Sequence, residues 1–182
     1  MANSSATGGY LLPDGAVAYD SVLEDALQAH IVGITGLPGQ MVRPRWQPVT
    51  PKMPEPHENW AAVGVTNTKT DFSPALVQGD SSTKFIRHEI LTVMVSFYGA
   101  NAESLICRFR DGMQISQNNL SLLSIGAKFN SCDEYRPAPE LLNMQWVRRF
   151  DMEYRLKRSV TRTYSILPLI NPPDINTAQE QS

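Results

Sequence analysis

The sequence is poor in the residue types that bind metals or activate nucleophiles. Its 182 residues include only two cysteines, Cys107 and Cys132, and three histidines, His30, His57 and His88. None of the five stands at a spacing typical of metal ligands, so we expect no metal site. The cysteines are expected to be unpaired thiols of a protein from a reducing compartment, the cytosol.

The sequence also lacks the signals that direct a chain to a membrane. It contains no run of about 18 apolar residues, so no membrane span is predicted. The first ten residues, MANSSATGGY, contain neither a basic nor an apolar segment, so we do not expect a secretory signal.

No excess of one charge is present either. The 16 basic residues nearly balance the 18 acidic ones, which leaves a net charge of −2. This balance argues against a nucleic-acid binder that depends on overall charge. The apolar fraction of 42% is enough for a core, which argues against a disordered chain.

Recognisable catalytic motifs are missing. The sequence contains no Walker loop, no G-x-S-x-G elbow and no G-x-G-x-x-G turn. Asp151 and Glu153 would share one face of a strand, and a carboxylate pair for glycoside hydrolysis is one interpretation. Arg149 and Arg155 flank them, however, and we favour a ladder of ion pairs. We therefore predict a protein without catalytic residues and without a cofactor.

The clearest pattern that is present lies between residues 145 and 166. Eight of the eleven even-numbered residues from 146 to 166 are apolar or aromatic, against one of the ten odd-numbered residues from 147 to 165. This alternation predicts a β-strand with one buried face. A bulge is expected where Arg158 and Arg162 interrupt the apolar face.

The length of that strand poses a geometric problem. Twenty-one residues at about 3.3 Å each would span about 70 Å, whereas a compact chain of this size is about 40 Å across. The strand must therefore bend, turn back or project, and we expect it to project onto a neighbouring subunit.

Two helices and three further strands are predicted around it. Apolar residues at helical spacing predict helices over 17–31, capped by Asp14 or Asp20, and over 102–116, capped by Asn101. Strands are predicted over 60–66, over 86–99, and over 127–131 at a sheet edge. Because both faces of the strand over 86–99 are largely apolar, it should lie at the centre of the sheet.

A proline-rich segment separates the first helix from the strands. Five prolines in thirteen residues exclude a helix or an interior strand. We predict an extended arm over 44–58. It is either a solvated connector or an arm that lies on a neighbouring protein, anchored by Trp46. The prolines are Pro44, Pro48, Pro51, Pro54 and Pro56.

The predicted fold is an α+β domain. It has a mostly antiparallel twisted sheet flanked by two main helices, with the proline-rich arm extending from it. We expect a flexible N-terminal segment over 1–16, a single domain over 17–168 and a flexible C-terminal tail over 169–182.

Basic residues cluster in the last strand. They form a solvated sheet face, a protein interface or a nucleic-acid contact, and interleaved acidic residues make the last of these the least favoured. Together with Trp46, Asp151 and Glu153, these basic residues make up the candidate interface. Its residues are Trp46, Arg148, Arg149, Asp151, Glu153, Arg155, Lys157, Arg158 and Arg162.

Three stretches together resemble a known family. They are PRWQP with the proline-rich run that ends in NWAAVGVT, then RHEILTVMVSFYGANAE with DGMQISQN, and finally PELLNMQWVRRFDMEYRLKRSVTRTY. In this order and spacing, over about residues 41–166, the sequence resembles the neck-terminator or tail-terminator-like proteins of tailed bacteriophages.

The resemblance implies a structural virion protein rather than an enzyme. Such proteins form a ring, usually of six subunits, at the head-proximal end of the tail, where the ring ends tube growth and meets the head connector. The implied partners are further copies of the chain, the tail-tube protein, the connector or stopper protein and, in contractile tails, the sheath. DNA would pass through the lumen without specific recognition, and no membrane would be involved.

The implied location is the neck or tail of a virion assembled in the cytoplasm of a bacterial host. The alternative is another structural part of the virion, such as a tail-tube or head-completion protein. The resemblance assigns no individual contact residues.

Overall fold

A computed structural model describes residues 3–47, 49, 51–142 and 144–167. The helices are α1 (Asp20–Thr35) and α2 (Ala102–Met113), and two 3-10 segments span Gly39–Met41 and Ser116–Ile125. The strands are β1 (Val42–Pro44), β2 (Trp60–Thr70), β3 (Ala75–Gln78), β4 (Thr83–Tyr98), β5 (Ala127–Cys132), β6 (Arg136–Pro137), β7 (Glu140–Leu142), β8 (Gln145–Val147) and β9 (Arg149–Tyr164).

The described residues form a seven-stranded main sheet and a separate hairpin. The main order is β1-β2-β4-β9-β5, with β3 paired to β4 and β6 paired to β9. Within these residues the β1–β2 pair is parallel and the other pairs are antiparallel. The α+β class and the mostly antiparallel sheet are therefore confirmed, and β4 occupies the centre as predicted.

Both helices pack on one face of the sheet because each carries an apolar stripe. Leu27 and Ile31 of α1, together with Ile106 and Phe109 of α2, are fully buried against the sheet. The ring of Phe109 lies 5.9 Å from that of Phe97 and 5.5 Å from that of Tyr154 between ring centroids. Those two aromatic residues come from β4 and β9, so the core joins α2 to the two longest strands.

The predicted caps are only partly right. Tyr19 holds the N-cap position of α1 and makes no side-chain capping bond, so neither Asp14 nor Asp20 caps this helix. Asp14 instead forms an isolated antiparallel bridge with Thr163. Asn101 does stand at the N-cap position of α2, although its side chain makes no capping hydrogen bond.

The expected projection of the last strand onto another subunit is wrong. The alternating segment is divided at Arg148 into β8 and the 16-residue β9. All 16 residues of β9 pair with the 16 residues of β4, from Arg149 opposite Tyr98 to Tyr164 opposite Thr83. A strand of about 50 Å is accommodated because a second strand of equal length lies beside it.

The predicted bulge near Arg158 and Arg162 is also wrong. The register between β4 and β9 is continuous, and the irregularities fall in β2, between Val65 and Asn67, and in β5, between Phe129 and Ser131. The bulges therefore lie in β2 and β5, the strands on either side of the β4–β9 pair. Fewer cross-strand pairs hold each of these strands than join β4 to β9.

The segments at either end of the predicted domain have local contacts. The amide of Ser5 donates to the Ser165 carbonyl at 3.0 Å, and the amide of Asp14 donates to the Thr163 carbonyl at 2.8 Å. The N-terminal segment therefore lies along the end of β9, whereas its flexibility stays a prediction. The predicted tail over 169–182 lies outside the described residues.

Candidate interaction surface

The face of the sheet opposite α1 and α2 is called here the open face. Residues on this face alternate along each strand with buried residues that point to the helices. In β4, for example, Leu91 and Val93 are buried, whereas Ile90 and Thr92 are partly exposed on the open face. Cross-strand pairing places the following side chains on it: Ala62, Asn67 and Lys69 of β2; Ile86, His88, Ile90, Thr92, Met94 and Ser96 of β4; Lys128 and Ser131 of β5; Asp151, Glu153, Arg155, Lys157, Ser159 and Thr161 of β9.

Arg45 and Trp46, at the start of the proline-rich segment, lie against one end of the open face. The guanidinium of Arg45 donates to the Ser96 hydroxyl at 2.6 Å. The ring of Trp46 lies over Gly64, where an added Cβ would be 2.8 Å from the ring. Trp46 nevertheless remains 57% exposed, so it has free surface for a further contact. Whether this segment lies on a neighbouring protein stays a prediction.

Arg149 forms one ion pair of the expected ladder, with Asp151, and one that was not predicted, with Glu140, at the same end. Its guanidinium donates to both carboxylate oxygens of Asp151, at 2.8 and 3.0 Å, and to Glu140 at 3.2 Å. Partial burial is the largest single effect and opposes the charge on Arg149. The hydrogen bonds to Asp151 and Glu140 and the nearby Tyr98 and Asp151 together outweigh it and raise the pKa of Arg149 above its usual value. Asp151 therefore has the ion-pair role that the sequence favoured over a carboxylate pair.

Arg155 forms its ion pair with Asp133, at the edge of the open face, rather than with Glu153 as the ladder predicted. It donates two hydrogen bonds to the carboxylate of Asp133, at 2.7 and 3.0 Å, in the two-pronged geometry that favours arginine. These bonds raise the pKa of Arg155 above its usual value.

Two of the predicted interface arginines face the helices instead. Arg158 is 3% exposed and donates to Glu89 at 2.7 Å and to the Ala18 carbonyl at 2.7 Å. Its guanidinium lies 4.5 Å from the centre of the Tyr19 ring, and Arg162 donates to the Tyr19 hydroxyl at 3.1 Å. Arg158 is therefore an internal anchor for the start of α1, and we remove it from the candidate interface.

The remaining basic residues are exposed. Arg148 lies between β8 and β9, and its carbonyl accepts a hydrogen bond from the Gly99 amide. Lys157 is exposed on the open face directly opposite Lys128 of β5. Ile90 lies on the other side of Lys157, and Lys69 of β2 lies beyond it. We call Lys69, Lys157 and Lys128 the lysine row.

The lysine row borders a groove of about 500 Å³. His88 and Ser159 lie beside the row in this groove, and the Ser159 hydroxyl is 3.2 Å from Nδ1 of His88. The carboxylate of Asp71 accepts the backbone N–H of His88 rather than a proton of the imidazole. Within the part of the chain that the structure describes, no carboxylate accepts a hydrogen bond from the His88 imidazole in the way that orients histidine in a catalytic triad.

An exposed apolar hairpin was not predicted from the sequence. Leu141 of β7 and Trp146 of β8 are directly opposite each other and are 50% and 72% exposed. Met144 at the turn is 89% exposed. Val147 at the base is buried against Trp60, which fixes the hairpin to the sheet. The signal that could have indicated it is the apolar pair on either side of the turn in LLNMQW.

A second group of exposed apolar residues lies beside the first residues of β4, where β3 pairs with it. Leu76 and Val77 of the edge strand β3 are 62% and 49% exposed, and Phe72 in the preceding turn is fully exposed. Large exposed apolar residues that cluster on a sheet edge are typical of contact surfaces.

A metal site and a membrane-spanning helix each place requirements on the described residues. No group of three or more metal-binding side chains occurs among the described residues. None of the helices in the described part of the chain is both long and apolar enough to span a membrane.

These exposed apolar side chains favour the class of protein that works through contact with other macromolecules. Tryptophan and arginine are enriched at protein interfaces, and Trp46 and Trp146 are both exposed. The chain belongs to the phage neck terminator protein family, whose model matches residues 21–181. No curated protein matches the chain. The chain is thus a structural protein of the neck or tail of a bacteriophage.

Proposed function

We propose that this chain forms a ring, of six subunits, at the head-proximal end of the phage tail. The ring ends the growth of the tail tube and joins the tail to the head connector. The observation that carries this proposal is the match to the neck terminator family over residues 21–181.

The surface of the molecule supports a ring. The open face and the helix side of the sheet are two different surfaces of the molecule, and a contact between the open face of one copy and the helix side of the next would join unlike surfaces. Contacts between unlike surfaces generate closed rings when the rotation between subunits closes, and otherwise filaments. The candidate interface in this proposal consists of exposed and partly exposed residues: Trp46, Arg148, Arg149, Glu153, Arg155, Lys157 and Arg162, with Asp151 as the internal partner of Arg149.

The proposed partners follow from that position. They are further copies of the chain, the tail-tube protein, the connector or stopper protein and, in a contractile tail, the sheath. DNA passes through the lumen without sequence recognition. Assembly takes place in the cytoplasm of the bacterial host, and the chain performs no catalysis.

Deletion of the gene from the parent phage tests this function. We expect tails of excessive length, or heads and tails that fail to join, because the tube would lack its terminator. Normal virions from the deletion strain would contradict the proposal. Copy number adds a second criterion: one ring of subunits per particle supports a terminator, whereas many rings would identify a tail-tube protein.

A further inference from the structure

We propose that the lysine row of one copy binds the acidic start of α1 of the next copy in the ring. The inference rests on the proposed function and identifies the contact between neighbouring subunits.

The first observation is an unfavourable charge arrangement in the isolated chain. Lys157 and Lys128 are directly opposite each other on adjacent strands, and both side chains are exposed. Lys69 completes the row beyond Ile90. None of the three lysines pairs with a carboxylate within 4 Å among the described residues. Like charges directly opposite each other destabilise a sheet, so this position favours an anionic partner.

The second observation is a complementary set of charges on the other side of the molecule. The first two turns of α1 carry Asp20, Glu24 and Asp25, and no lysine or arginine occurs within this helix. Asp20 and Asp25 are exposed, and Glu24 is partly exposed. None of the three forms an ion pair with the described residues. Three carboxylates are thus available for three lysines.

The third observation is that the two charge sets lie at the same level of the sheet. Arg158 contacts Ala18 and Tyr19, which immediately precede α1, and it follows Lys157 in β9. Adjacent strand residues point to opposite faces. The start of α1 therefore lies on the helix side of the sheet, at the same level as the lysine row on the open face.

This placement suits a head-to-tail arrangement. If two copies stack with the helix side of one against the open face of the other, the acidic turns of the first meet the lysine row of the second. Each copy then uses two different faces, and a fixed rotation between copies closes a ring. The groove of about 500 Å³ beside the lysine row offers space for side chains of the incoming helix.

The open face favours carboxylates of a protein over a nucleic-acid backbone. Glu153 lies on the same face of β9 as Lys157, four residues before it. On the other side of the lysine row, Asp71 borders the groove. A phosphate chain that continued past the lysines would meet these acidic side chains. A short acidic turn of a helix would not.

Charge reversal on each face tests the contact. The variants are K128E/K157E on the open face and E24K/D25K on α1, expressed from plasmids in cells infected by the deletion phage. Each variant alone should reduce the yield of joined particles by roughly tenfold or more, because like charges then meet between neighbours. One chain carrying all four substitutions should restore joining, and so should both double variants expressed together, since they can alternate around an even-numbered ring.

A matched control carries the same change in net charge elsewhere. K84E/R136E reverses two exposed basic side chains that lie outside the lysine row, the candidate interface and the proline-rich segment, and it should support joining like the native chain. Failure of this control would assign the defect to net charge and overturn the proposal.

Other results would also decide against the contact. Joining by each double variant at the native level would show that the faces do not meet, and failure of both combinations to restore joining would show that they are not partners. Loss of DNA binding by K128E/K157E with joining intact would assign the row to nucleic acid. In each of these cases the native chain still rescues the deletion, whereas a deletion without a neck defect would refute the proposed function itself.

Discussion

Two arginines of β9, three residues apart, have opposite environments. Arg155 pairs with Asp133 at the edge of the open face, whereas Arg158 is buried with Glu89 between the sheet and the start of α1. The alternation of strand residues explains the difference, since odd and even positions point to opposite faces. A sequence cluster of basic residues is therefore divided into a surface group and an internal group.

The two ion pairs should contribute very different free energies of folding. We expect Arg158→Ala to lower the free energy of unfolding by about 3–5 kcal/mol, because Glu89 is left as a buried unpaired charge. Arg155→Ala should cost only a small fraction of that, because both partners of its ion pair are exposed to water and ions. Urea denaturation of both variants measures the difference, and equal losses would place Arg158 at the surface.

The lysine row should lower the stability of the isolated chain. Lys128→Glu places a carboxylate opposite Lys157 and should raise the free energy of unfolding by about 0.2–1 kcal/mol. Lys84→Glu is the matched control, since its cross-strand neighbour on β9 is the uncharged Thr163. A decrease in stability for Lys128→Glu, measured by urea denaturation at low salt, would show that the lysines do not repel each other.

At the scale of elements, the long pair of β4 and β9 dominates the fold. The alternation of apolar residues was enough to predict both strands, the buried face and the central place of β4. It could not predict that β9 pairs with β4 along its whole length, because pairing joins residues far apart in the sequence. The length of β9 was therefore misread as a reason for projection.

Shortening a side chain of β4 should lower the stability of the fold strongly on the helix side of the sheet and only weakly on the open face. Phe97→Ala removes a fully buried ring that contacts α2, and we expect a loss of about 3–5 kcal/mol in the free energy of unfolding. Met94→Ala, on the open face of the same strand, should cost clearly less because its side chain is only partly buried. Thermal melts that show equal losses would contradict the assignment of the two faces.

The β7–β8 hairpin should serve contact rather than folding. Trp146→Ala is expected to leave the free energy of unfolding within about 0.5 kcal/mol, since the side chain is 72% exposed. The same variant should lose the ability to join heads and tails, because exposed tryptophans are frequent hot spots at interfaces.

A second exposed apolar residue provides the control for the hairpin. Leu120→Ala, at a position that is 60% exposed in the 3-10 segment, should support joining normally. Normal joining by Trp146→Ala in the complementation assay would remove the hairpin from the interface.

At the scale of the whole molecule, the sequence predicted the class of fold better than its surfaces. Regular alternation and helical spacing reveal which residues are buried, and the resemblance to neck terminators agrees with the family match. Surfaces depend on which strands are neighbours. The lysine row joins Lys69, Lys128 and Lys157 from three strands, and no local pattern in the sequence connects them.

The same limit applies to contacts with other subunits. Each side of the two-layer molecule has an unpaired charge set among the described residues, with lysines on the open face and the carboxylates of α1 on the helix side. Such an arrangement is suited to a ring rather than to a two-fold dimer, because a two-fold axis would bring identical faces together.

A cryo-electron microscopy map of the intact parent particle tests the account most directly. We expect the chain to fit density for a single ring between the tail tube and the head connector, with the open face of each copy turned towards α1 of the next. Density for this chain in the capsid shell, in the baseplate or along the tube would contradict that position.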